Sequence, residues 1–144
     1  MSRLRLLILS ALILLAAQGY SSQINKNNWV SHPRIKEIRS IVQIVDKEKE
    51  MGFLNCKEIV YEDRGAFVEI CRDEAGIIRY EKEMGSEGGV GWERTTYFDK
   101  KGVKRFYFNT VTENDGQDDF LVDEQRNYFN KNGKIIFEID KSDP

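Results

Sequence analysis

Between Ile35 and Val45 apolar residues recur at three- and four-residue steps. Ile35, Ile38, Val42 and Val45 mark the stripe and Ile41 and Ile44 widen it, a period that predicts an amphipathic helix. Ser31 is placed to cap the helix, Pro33 suits its first turn, and Gly52 ends it in a left-handed conformation. Lys36, Glu37, Arg39, Asp46, Lys47 and Lys49 occupy the rest of the cylinder, as expected of a helix lying on a sheet with one wet side.

From Cys56 onward the period changes to two. The runs are cut by a four-residue signal, acidic residue or Asn first and Gly last: Glu62 to Gly65, Asp73 to Gly76, Asp99 to Gly102 and Asn130 to Gly133. The first side chain accepts from turn backbone and the Gly takes the positive φ that rejoins the strands, so each signal marks a hairpin. Longer breaks fall at Gly85–Gly89 and Glu113–Asp119. The predicted strands are about 56–61, 66–72, 77–83, 90–98, 103–111, 120–129 and 134–140. The fold class is α+β, with an N-terminal amphipathic helix packed on a seven-strand antiparallel meander sheet. The segments Tyr97-Phe98-Asp99-Lys100-Lys101-Gly102 and Tyr128-Phe129-Asn130-Lys131-Asn132-Gly133 resemble the aromatic-turn-Gly units of WG-type and MORN-variant repeat proteins. The signals keep no constant period, and no family is assigned from that likeness.

The N-terminus follows another rule. Arg3 and Arg5 precede an apolar run from Leu6 to Ala17, and Ala17-Gln18-Gly19 offers small residues at both positions a signal peptidase reads. The run falls short of the roughly 20 apolar residues a spanning helix needs. Residues 1–19 are expected to be a signal peptide, residues 20–30 a polar leader anchored by Trp29, and residues 31–144 a single α+β domain. Cleavage removes two arginines and no carboxylate, so the formal charge of −2 becomes more negative by two. That balance argues against a nucleic-acid partner. No stable membrane insertion is expected after cleavage.

Two cysteines in an exported chain point to a Cys56–Cys71 disulfide across the first hairpin. A plain four-residue loop sets them opposite each other, whereas pairing Glu62 with Ala66 sets them one residue out of register. His32, the one imidazole, stands at the helix start and is read as a helix-start residue, with no Ser-His-Asp arrangement assigned to it. The acidic loop Glu113–Asp119 lacks the alternating ligands of a calcium loop, and Gly85–Gly91 lacks the Lys-Ser/Thr of a phosphate cradle. No catalytic residue, metal or cofactor is assigned.

With Asp99 opposite Val103, strict alternation pairs Tyr97 with Arg105, Thr95 with Tyr107 and Glu93 with Asn109. Glu93, Tyr97, Arg105 and Tyr107 then share a polar, Tyr-bearing face, the candidate recognition surface, while Trp92, Arg94, Thr96, Phe98, Phe106 and Phe108 form the core side. The expected function is an exported, non-enzymatic binding module, adhesin- or inhibitor-like, presenting a sheet face to a protein or glycan outside the cytoplasm. The chain is expected to be secreted, periplasmic or associated with the cell surface. Alternatives are a small structural envelope protein joined through the edge strand 134–140, or a hydrolase using paired carboxylates.

Overall fold

Helix α1 (Pro33–Glu50) is capped by His32, whose Nδ1 accepts from the Arg34 N–H at 3.2 Å. Ser31 is not the cap, because its hydroxyl donates to the Asn28 carbonyl at 3.2 Å in the turn that precedes the helix. Gly52 closes the far end at φ 75°, with its N–H on the Lys49 carbonyl at 3.1 Å. The computed structural model describes residues 23–142; the expected signal peptide and the first leader residues lie outside the described residues.

Seven antiparallel strands follow, each bonded to the next in sequence: β1 (Asn55–Tyr61), β2 (Ala66–Arg72), β3 (Ile78–Glu87), β4 (Val90–Phe98), β5 (Lys104–Asn114), β6 (Asp119–Phe129) and β7 (Ile135–Ser142). The meander is the expected one, but two loops are shorter than the polar runs implied. Gly88 and Gly89 turn at φ 60° and 82° between the paired Glu87 and Val90, a two-residue hairpin that only left-handed residues make easily. Strands β5 and β6 stay paired out to Asn114 and Asp119.

Three hairpins repeat one device. At β2–β3, Arg72 pairs with Ile78 but Cys71 with Tyr80, so Arg79 is an extra residue. At β4–β5, Phe98 pairs with Lys104 but Tyr97 with Phe106, leaving Arg105. At β6–β7, Phe129 pairs with Ile135 but Tyr128 with Phe137, leaving Ile136. Each is a β-bulge one pair beyond the turn, and each shifts the following residues to the other face.

Beyond the bulges one residue from every strand lines up across the sheet: Cys56, Cys71, Tyr80, Tyr97, Phe106, Tyr128 and Phe137. Helix α1 lies over this row. Its N-terminal Ile35 and Ile38 pack with Tyr128, Phe106 and Phe137, and Val45 near its C-terminus packs with Cys71, Tyr80 and Leu54. The helix therefore runs across the strands. Eighteen residues rise about 27 Å, close to the roughly 29 Å spanned by six interstrand steps, so one helix reaches across the sheet from β7 to β2 and leaves β1 exposed along its length. Ring centroids along the row lie 4.9–6.3 Å apart from Tyr80 through to Phe137. The leader joins this core: Trp29 stacks on Phe137 at 5.6 Å, with the Arg39 guanidinium 4.9 Å from its ring. Ile44, expected in the stripe, is 48% exposed because it faces along the sheet rather than onto it. Among the described residues no helix is long and apolar enough to cross a membrane.

Candidate functional site

The bulge after Tyr97 divides the expected recognition quartet. Asp99 does sit opposite Val103, its N–H on the Val103 carbonyl at 3.0 Å. The slip by one residue comes just beyond, so Tyr97 pairs with Phe106, not Arg105. Tyr97 faces the helix and its hydroxyl donates to Asp46 Oδ1 at 2.8 Å. Burial is the main cause holding its phenol above the ordinary pKa, and the hydrogen bond to Asp46 and that carboxylate's charge add to it. Glu93 alternates onto the same side of the sheet and pairs with Lys82 at 3.1 Å.

Arg105, the bulged residue, is 4% exposed and turned toward the helix. Its Nε donates to the Phe129 carbonyl at 3.1 Å, Nη1 to Asp99 Oδ2 at 3.3 Å, and Nη2 lies 3.6 Å from Glu37. Arg79 repeats the arrangement at the preceding hairpin: Nε donates to the Phe98 carbonyl at 3.3 Å, and Nη1 lies 3.2 Å from Glu48 and 3.8 Å from Asp73. A spacing of six from Asp73 to Arg79 and again from Asp99 to Arg105 was the sequence signal for this pair.

Of the quartet, Tyr107 alone lies on the helix-free face. It pairs with Thr96, beside the pairs Arg94–Asn109 and Trp92–Val111, so the residues expected in the core form the open side. Phe106 and Phe108, expected with them, lie on the helix side opposite Tyr97 and Thr95. The Trp92 ring lies against Gly85 so closely that a Cβ there would meet it at 2.3 Å, and Ala66 is the next residue in that cross-strand row. Two small residues therefore make the bed for one indole. Arg94 lies 3.6 Å from Glu83 on the same face. Two buried polar atoms here, Trp92 Nε1 and Asn109 Oδ1, have no hydrogen-bond partner. They sit on diagonal cross-strand neighbours, one donor and one acceptor.

Cys56 and Cys71 are disulfide-bonded across directly opposed positions, as the four-residue loop Glu62–Gly65 requires. They and Glu69 bring three ligand-type atoms within 4.8 Å of one another, but the bond consumes both thiols and Glu69 pairs with Lys49. In the acidic loop, Asp115 Oδ1 accepts from the Gln117 and Asp118 N–H groups at 2.9 and 3.0 Å, which lowers its carboxyl pKa. Asn114 Oδ1 accepts from Gly116 at 2.7 Å, so much of the loop's oxygen set is spent on its own turn.

Comparisons of the chain with family models, with curated proteins and with solved structures find no match, so the functional reading rests on its own residues.

Proposed function

We propose that this chain is an exported, non-enzymatic binding module that presents its helix-free sheet face to a protein or glycan outside the cytoplasm. The observation that carries the reading is the bedded Trp92 with its orphaned N–H beside the orphaned carbonyl of Asn109. Buried polar atoms without partners cost free energy, and a ligand hydroxyl or amide that reaches both after small side-chain rotations recovers it. Arg94, Glu83 and Tyr107 supply charge and a further ring around them. A flat aromatic surface edged with hydrogen-bonding groups suits either a sugar ring or a peptide plane. The disulfide supports an oxidising compartment, as does the basic-apolar-small pattern of residues 1–19.

Two readouts test the proposal. In a Trp29→Phe background Trp92 is the one remaining indole, and its emission is followed while chito-, cello- and malto-oligosaccharides are titrated. A photo-crosslinking residue at position 107 tests the protein arm in the natural compartment. A saturating emission change or a crosslink from position 107 is expected, each lost with Trp92→Ala. Neither signal, with crosslinks appearing instead from a helix-side position, overturns the proposal.

A second reading has one observation in its favour. Among the described residues β7 pairs only with β6, so its outer edge is open to another strand, as a structural envelope role requires.

A further inference from the structure

Helix α1 turns Ile41 and Ile44 toward one flank, where Ile41 packs partly against the cluster of Val45, Leu54, Cys71 and Tyr80 and Ile44 stays exposed. That flank faces the tips of two turns across a cleft of about 360 Å³. A second cleft of about 340 Å³ continues along the helix toward Arg34, and Arg105 and Lys131 line both. From Arg34 to Ile44 the helix rises about 15 Å, the reach of about five residues of extended chain.

The walls of this groove differ in chemistry. The helix wall offers Ile41 and the 48% exposed Ile44. The floor holds Arg79 and Arg105, with side chains 4% and 5% exposed, whose carboxylate partners Glu48, Asp73, Glu37 and Asp99 offset their charge. The turn tips add Lys100, Lys101 and Lys131. Lys131 has one distant partner, Glu37 at 3.7 Å, and the other two have no ion pair among the described residues. With Arg34, the two clefts and the carboxylates paired with their floor hold six cations against four anions, a net excess of two, in a chain with more acidic than basic residues, 24 against 22. The exposed lysine tips favour an anionic ligand along this edge.

We infer that this groove docks an acidic peptide segment of a partner protein, with carboxylates on the lysine tips and an apolar side chain against Ile41 and Ile44. Charge complementarity selects the acid, and the exposed Ile44 and the groove's length select a peptide over a small anion. The inference is independent of the open sheet face, since the two surfaces lie on opposite sides of the sheet.

The probe is a labelled peptide of alternating glutamate and leucine, about five residues long, followed by fluorescence polarisation. Wild type is expected to bind it, more weakly as salt rises. The triple variant Lys100→Glu, Lys101→Glu, Lys131→Glu is expected to bind at least roughly tenfold more weakly with an unchanged melting temperature, since all three are exposed. Ile44→Ser is expected to weaken binding without changing the salt slope, and Trp92→Ala to leave it unaffected. Undiminished binding by the triple variant overturns the inference. So does equal competition by inorganic phosphate or by a glutamate-only peptide, which would mean a small-anion site or unspecific attraction.

Discussion

The Tyr97 hydroxyl donates to the carboxylate of Asp46 at 2.8 Å, tying the middle of the sheet to helix α1 across 51 residues of chain. The same ring meets Tyr80 edge-on at 5.3 Å and Phe106 at 6.0 Å. Tyr97 is therefore part of what fixes the helix, whereas Tyr107 faces the open side. Urea denaturation is expected to show Tyr97→Ser losing about 2–4 kcal/mol, from a truncated half-buried ring and a lost charge-assisted hydrogen bond. Tyr107→Ser is expected to lose at most about 1 kcal/mol. The reverse order would contradict the bulged register.

Burial raises the pKa of both Tyr80 and Tyr97, and the Asp46 hydrogen bond raises Tyr97 further. An unfolded tyrosine ionises near pH 10, so above that pH the unfolded chain gives up protons that the folded chain keeps. Stability from these groups is intact below pH about 10 and is lost as pH rises beyond it. A near-ultraviolet absorbance titration is expected to show that at least two of the six tyrosines ionise only together with unfolding. Tyr97→Phe should remove one of them.

Cys71 is fully buried beside Val45, Leu54 and Tyr80, and Cys56 lies on the edge strand. Breaking the bond by changing either one releases a loop of 15 residues, worth roughly 3 kcal/mol in the chain-entropy model. Cys71→Ser also leaves a hydroxyl in an apolar cluster. Its melting temperature is therefore expected to fall further than that of Cys56→Ser, with both variants still folding on the remaining sheet. Equal melting temperatures would show that Cys71 contributes nothing to the core beyond its crosslink.

At Gly85 the limit is space rather than backbone conformation, because a methyl group would sit inside the Trp92 ring. Gly85→Ala is expected to cost about 1–3 kcal/mol by overpacking and to move the indole off its bed. In the Trp29→Phe background the displacement is read as a shift of Trp92 emission toward the red. An unchanged spectrum and stability would mean that the ring does not rest there.

The helix, the seven strands and the disulfide were all legible in the chain, because each rests on a local signal: the stripe from Ile35 to Val45, the alternation after Cys56 and the four-residue turns. The distribution of side chains between the two faces was not. Alternation carries a face assignment along a strand only while the pairing stays regular, and a bulge of one residue reverses it. Arg105 shows why the bulge was hard to see. As a lone arginine in a strand it reads as surface, yet in the bulge it turns toward the helix and ties the Phe129 carbonyl, the Asp99 turn and the helix together. Its counterpart Arg79, at the same distance from its own turn, was the clue that the two hairpins share one construction. Ile44 was misplaced for a different reason: a wide helical stripe shows which residues can be buried, not which of them point down onto the sheet, and here Val45 does while Ile44 faces along it.

The placement of the recognition face depends on the slip between Tyr97 and Phe98, so the decisive measurement is a nuclear Overhauser spectrum of the aromatic side chains. The bulged register predicts cross-peaks from the Tyr97 ring to the rings of Tyr80 and Phe106 and to the Asp46 methylene, with Tyr107 contacting Thr96. Cross-peaks that place Tyr97 opposite Arg105 and Tyr107 opposite Thr95, with no contact from Tyr97 to Asp46, would contradict it and would move the recognition surface to the other face of the sheet.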